Sequence, residues 1–373
     1  MDTKHGLGVG CDALALAAPG VRGLSPYQPG KPVEELEREL GLHDIVKLAS
    51  NENPLGPSPL GLAAAREALA EVARYPDGSG FELRAALSRK LGIAPETITL
   101  GNGSNDVLEL VARAFVSPAD EVVYAEHAFI VYPLVTQAIG ARGVCVPARD
   151  FGHDLDAMRA AIGPATRLVF LANPNNPTGT WVGAVALRRF LESLPDHVIA
   201  VVDEAYVEYV ETDAYASCLP WVAALPRLVV ARTFSKAYGL AGLRVGYAVS
   251  HPDVADLMNR VRQPFNVTVP ALAAARAALD DEAHLARTRE VNRAGMAQLE
   301  AGLRALGLDW IPSIGNFVTV GFPRPGAEIY QALLREGVIV RPVAGYGLPS
   351  HLRVTVGTEA ENARFLEALS RVL

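Results

Sequence analysis

Leu228-Val229-Val230-Ala231-Arg232-Thr233-Phe234-Ser235-Lys236 starts as an apolar, β-branched run and ends in two hydroxyls and a lysine. A strand apolar on both faces belongs in a parallel sheet covered by helices. The same phrase, an apolar run closed by a polar loop, recurs upstream. Residues 98–100 lead into Gly101-Asn102-Gly103-Ser104-Asn105-Asp106. Residues 167–171 lead into Asn173-Pro174-Asn175-Asn176-Pro177-Thr178-Gly179, and 198–202 into Asp203-Glu204-Ala205-Tyr206. Runs at 121–124, 143–146 and 244–249 supply three more strands. Helical periodicity fills the gaps, as at 104–115. About seven strands interleaved with helices predict a large α/β domain with a mostly parallel sheet between helices.

Outward from this core the rhythm changes. Residues 264–270 carry prolines at both ends, and a long Ala-rich helix is expected over 271–306. Strands at 317–320 and 352–356 alternate with helices near Ala327 and Glu359, which predicts a smaller α+β domain. Upstream, helical periodicity covers 61–73 and 81–91, with a turn at Tyr75-Pro76-Asp77-Gly78 and a short helix at 32–40. Residues 1–30 are Gly/Pro-rich and read as an arm that joins the small domain or crosses to a partner subunit. The expected division is 1–50 for the arm and part of the small domain, 51–270 for the large domain and 271–373 for the small one.

Composition narrows the function. Lys plus Arg is 34 and Asp plus Glu is 41, so the net charge of −7 argues against a general nucleic-acid binder. No apolar run approaches the ~20 residues that span a bilayer. Cys11, Cys145 and Cys218 show neither a disulfide framework nor zinc spacing, which fits a reducing cytoplasm.

Ligands of open α/β sheets sit at the carboxyl ends of the strands, so the closing loops hold the chemistry. The Gly101–Asp106 loop opens a helix and reads either as a plain turn or as an anion site made by exposed N–H groups. A dinucleotide fingerprint fails there, since Asp106 stands where the third glycine belongs. The loop at 173–179 holds three asparagines between prolines, with Asn176 able to aim its amide inward. Asp203 reads as a helix cap or as a buried carboxylate in need of a partner. Only five of the 34 basic residues are lysines, and Lys236 stands alone after Lys90. Guanidinium cannot replace an amine that must lose its proton. Thr233, Ser235 and Arg244 around Lys236 are what a phosphate monoester requires. Together these sites supply an aldehyde-capturing lysine, an acid for a pyridinium nitrogen, donors for a phenolic oxygen and an anion cradle. That inventory matches pyridoxal phosphate (PLP).

Seven motifs in one order carry a more specific likeness. They are N-E-N-P-x-G-P at 51–57, R-Y-P at 74–76, G-N-G-S at 101–104, N-P-N-N-P-T-G at 173–179, D-E-A-Y at 203–206, T-F-S-K-A-Y-G-L-A-G-L-R at 233–244 and L-R-V-T-V-G-T at 352–358. With them the chain resembles the fold-type I PLP aminotransferases over essentially its whole length, and within these the histidinol-phosphate aminotransferase family. The resemblance implies that Lys236 carries the cofactor and shuttles a proton, that Asp203 pairs with the ring nitrogen, and that Asn176 and Tyr206 bond the ring oxygen. It places Phe129 on the ring face and Ser104, Asn105, Thr233, Ser235 and Arg244 around the phosphate. Asn105-Asp106 departs from the Asp-Glu of many relatives. Tyr75 would reach the cofactor phosphate of a neighbouring subunit, which implies a homodimer. Arg353, Arg341 and Tyr27 would join Asn176 in binding substrate.

The implied reaction is transamination of L-histidinol phosphate with 2-oxoglutarate, in histidine biosynthesis. An aromatic or broad-range aminotransferase is the alternative within the fold. A NAD-dependent oxidoreductase is disfavoured by Asp106 and leaves Lys236 unexplained.

Overall fold

The computed structural model describes residues 12–26 and 30–373. Strand β1 (Val46–Lys47) precedes the large sheet. That sheet comprises β2 (Ile98–Gly101), β3 (Glu121–Ala125), β4 (Arg142–Val146), β5 (Thr166–Ala172), β6 (Ile199–Asp203), β7 (Leu228–Thr233) and β8 (Gly246–Val249), in the order β2-β8-β7-β6-β5-β3-β4. β8 runs antiparallel to β2 and β7, and the remaining pairs are parallel. β8 starts two residues later than expected, because Arg244 turns the chain in left-handed backbone at φ 56°.

Alternate residues of β5 feed two cores. Val169 and Leu171 join Leu87, Met158 and Leu187 on one face. Leu168 and Phe170 join Leu108, Val111 and Tyr132 on the other. Both faces are therefore sealed by helices, as the apolar runs demand. The register sets Asp203 beside Ala172 on one side and Ala231 on the other, so three strand ends meet at one edge.

The small domain holds β9 (Trp310–Ile311), β10 (Phe317–Gly321), β11 (Val338–Ile339), β12 (Arg341–Pro342) and β13 (His351–Thr355). Four of these form an antiparallel sheet in the order β12-β13-β10-β9, while β11 pairs in parallel with β1. Helices Glu282–Ala305, Gly326–Arg335 and Glu359–Val372 supply Leu299, Leu303, Leu333 and Phe365 to its core, and Leu48 reaches in from the N-terminal side.

Three expectations need correction. The single helix over 271–306 is two, Val269–Ala278 and Glu282–Ala305. Asp281 caps the second by accepting the His284 N–H at 3.2 Å, and its other oxygen accepts the Ser58 hydroxyl at 2.6 Å. The first of the two packs on helix Pro59–Ala68, where a Cβ on Gly61 would lie 3.1 Å from the Ala274 carbonyl. Ala271, Ala274, Ala278 and Leu285 thus belong to the core of the large sheet. The helix expected over 61–73 ends at Ala68, in a short 3-10 turn. In the arm, helix Pro19–Arg22 lies on the large domain. A Cβ on Gly20 would collide with the Gln137 carbonyl. Among the described residues no helix is long and apolar enough to cross a membrane.

Candidate active site

The strand ends open into one cavity at the junction of the two domains. At its floor, helix Ser104–Phe115 begins after Gly103, whose φ is 81° and which offers no side-chain cap. The first-turn N–H groups are left for a ligand, at the positive end of the helix dipole. Arg244 lies directly over Gly103, where a Cβ would collide with its Nη2. A Cβ on Gly246 would come within 2.6 Å of the Ser104 nitrogen. The two glycines therefore let a guanidinium and a helix N-terminus share one point. Ser104, Asn105, Thr233, Ser235 and Arg244 line this end, and Arg244 reaches the Ser235 hydroxyl at 3.4 Å. Backbone donors, hydroxyls and a planar cation make a cradle for a phosphate.

Across the cavity Asp203 closes β6. Its carboxylate accepts the Tyr132 hydroxyl at 3.1 Å and the Ala205 N–H at 3.2 Å. Burial outweighs these donors and pushes the acid up to about 6. The helix-cap reading fails, since the N-cap position of the 3-10 turn that follows is Tyr206, three residues beyond Asp203. Lys236, three residues beyond β7, donates to the Ser50 carbonyl at 2.9 Å. Burial, with Arg353 and Arg244 nearby, brings its amine down to about 7. Tyr206 accepts from the Asn51 amide at 2.9 Å, and burial pushes its phenol up to about 12.

The far wall comes from the loop at 173–179 and from β12 and β13. Both Asn-Pro bonds of the loop are cis. Arg353 is 6% exposed; it donates to the Ala49 carbonyl at 2.7 Å and to Asn176 Oδ1. The Asn176 oxygen is thus engaged by Arg353, and its Nδ2 is the atom that can serve a cavity ligand. Arg341 and Arg353 are register partners on adjacent strands, so both point to one face and line the cavity. Phe129 lines it too, edge-on to Tyr132 at 5.9 Å.

One expected residue is not part of this cavity. Tyr75 is 82% exposed and stacks on Phe265 at 4.7 Å. Tyr27 lies outside the described residues. Four others were not anticipated: Ser50, Asn51, Tyr132 and Tyr346. Asn51 opens a motif already singled out at 51–57. Tyr132 follows Phe129 at helical spacing and looks like any core aromatic in sequence.

Residues 43–369 match the family model for aminotransferase class I and II. A histidinol-phosphate aminotransferase 2 of Pseudomonas fluorescens strain Pf0-1 is 63% identical over 362 residues, covering 96% of this chain and 98% of that protein. A histidinol-phosphate aminotransferase 1 of Nitrosococcus oceani is 61% identical, covering 96% and 97%. Among solved structures, histidinol-phosphate aminotransferase from Sinorhizobium meliloti, in complex with pyridoxal-5'-phosphate, superposes with a TM-score of 0.88 at 32% identity, covering 95% and 96%. A Thermus thermophilus aspartate aminotransferase mutant gives 0.83 at 26% identity, covering 95% and 99%. This chain belongs to the class I and II aminotransferase family and, within it, to the histidinol-phosphate aminotransferases.

Proposed function

We propose that the chain transfers the amino group of L-histidinol phosphate to 2-oxoglutarate, giving imidazole acetol phosphate and L-glutamate in histidine biosynthesis, with pyridoxal 5'-phosphate as cofactor. One observation carries the reading. A low-pKa lysine, a buried acid and an uncapped helix N-terminus with an arginine converge on one cavity that two further arginines close. The donor set fits the cofactor, which supplies a carbonyl for amines and a pyridinium ring that draws electrons from the substrate carbon.

The residues divide the work. Ser104, Asn105, Thr233, Ser235 and Arg244 hold the phosphate. Asp203 would face the ring nitrogen, and the ring's positive charge would hold its carboxylate ionised. Tyr206 and the Asn176 amide nitrogen would donate to the ring oxygen, and Phe129 would cover the ring. Lys236, whose amine is half neutral near pH 7, would hold the cofactor and, when free, would move the proton of the substrate carbon. Arg353 presents a planar fork that serves the carboxylate of glutamate in one half-reaction and the phosphate of the donor in the other. Arg341 adds a second cation on the same face, which suits a dianion better than a carboxylate.

We propose further that the enzyme works in the cytoplasm as a homodimer, Tyr75 reaching the partner's cofactor phosphate. Supporting this, Leu69, Val72, Tyr75 and Phe81 are exposed along one segment of the chain, and Phe265, also exposed, stacks on Tyr75.

The test compares kcat/KM for histidinol phosphate, histidinol, phenylalanine and tyrosine, with 2-oxoglutarate as acceptor. Histidinol phosphate should lead. Histidinol should trail by about one to two decades, the worth of one charge-assisted bond. A lead for either aromatic amino acid replaces this reading with that of an aromatic aminotransferase.

A further inference from the structure

Asn51 is 1% exposed, sits in left-handed backbone at φ 54° and joins the two domains. Asparagine tolerates this conformation better than most residues. Every polar group it carries is used. Its N–H donates to the Thr355 hydroxyl at 2.9 Å, and its carbonyl accepts from Asn316 at 3.0 Å. Its side-chain oxygen accepts the Thr355 hydroxyl at 3.2 Å, and its Nδ2 donates to the Tyr206 hydroxyl at 2.9 Å.

The direction of each proton follows. The Thr355 oxygen receives the Asn51 N–H, so its own proton needs an acceptor, and Asn51 Oδ1 is within reach. Flipping the amide would present Nδ2 to that hydroxyl and strand a buried O–H. The amide is therefore fixed with Nδ2 toward Tyr206. A phenol that accepts from Nδ2 must send its own proton elsewhere, and Tyr206 opens on the cavity. We infer that Asn51 and Thr355 are positioning residues that aim the Tyr206 hydroxyl proton into the active site. Thr355 stands on β13 and Tyr206 beyond β6, so the relay holds only when the small domain is seated on the large one.

The inference rests on the cofactor reading above, in which Tyr206 donates to the ring oxygen. That donor stabilises negative charge on the oxygen, and without it the neighbouring lysine-linked nitrogen holds its proton more tightly. The experiment is a pH titration of the bound cofactor's absorbance in the holoenzyme. Asn51→Asp replaces the donor by an acceptor, which captures the Tyr206 proton. Its midpoint should rise by about one pH unit, the scale of one hydrogen bond to a charged group, as in Tyr206→Phe. Thr355→Val frees the amide to turn and should raise the midpoint less, while Thr355→Ser restores the parent value. If Asn51→Asp does not fold, the Val/Ser pair at 355 decides. Unmoved midpoints in Asn51→Asp and Thr355→Val beside a shifted Tyr206→Phe would overturn the relay alone. A parent protein without a borohydride-sensitive band would overturn the cofactor reading instead.

Discussion

Asp203 and Glu204 are neighbours at the end of one buried strand, yet their surroundings differ. Successive residues of an extended chain face opposite ways. Glu204 turns from the cavity and is wholly buried against Arg232, which donates to its Oε2 at 2.8 and 3.1 Å. The Ser217 hydroxyl adds 2.8 Å to the same oxygen, and the Cys218 N–H fills the other. Asp203 has two neutral donors, Tyr132 and Ala205 N–H, and an acid pushed up to about 6. One carboxylate is tied off by a cation and serves the fold. The other is desolvated, makes no ion pair among the described residues and stays poised for a cation that a ligand brings.

Asp203→Asn attacks the poised side and should have the largest effect. Turnover should fall by about three to four decades, roughly 4–6 kcal/mol of barrier. Stability should respond in the other direction. A folded acid at about 6 binds more protons than the unfolded chain between about 4 and 6, so its contribution to stability falls as pH rises through that window and stays low above it. Cofactor-free Asp203→Asn should therefore melt at or above the parent temperature at pH 8. A lower melting temperature there would mean that Asp203 is a structural tie like its neighbour.

Glu204→Gln probes the tied side. It should cost about 3–5 kcal/mol of stability by leaving Arg232 buried and unpaired, with turnover kept within about tenfold. Glu204→Gln/Arg232→Met should regain part of that loss. Denaturant melts of the three proteins test this, and a double variant no more stable than the single one would break the contrast.

Much of this was legible in sequence. Each strand of the large sheet is an apolar run closed by a polar loop, and a sheet buried on both faces allows no other composition. The loops fall at strand ends for the same reason, so Lys236, Asp203, Asn176 and Arg244 could be found one by one. What sequence could not show is pairing across distance. Asn176 bonds Arg353, and Asn51 bonds Tyr206 and Thr355, through contacts that only the docked domains create. Tyr132 is hidden because a core aromatic and one that steers a carboxylate share the same helical spacing. The break at Asp280-Asp281 was missed because two acids inside an Ala-rich run look like a helix surface. The tie of Asp281 to Ser58 comes from a residue more than two hundred positions away.

A smaller effect concerns the paired arginines. Arg341→Ala should lower kcat/KM for histidinol phosphate by about tenfold, the worth of one exposed-side charge contact, and touch the glutamate half-reaction less. Equal losses in both would show that Arg341 does not distinguish phosphate from carboxylate.

The direct test of the account is where, and at what pH, the cofactor attaches. Lys31, Lys47 and Lys90 each pair with a glutamate at the surface, whereas Lys236 donates to a carbonyl inside the cavity and titrates at about 7. Cofactor-free protein is mixed with pyridoxal phosphate across pH 5 to 10, roughly spanning a shifted and an ordinary lysine, reduced with borohydride and mapped by peptide mass. Modification is expected at Lys236, rising with pH to a midpoint near 7. Modification spread over the surface lysines, or a midpoint near the ordinary lysine value of about 10.4, would contradict it.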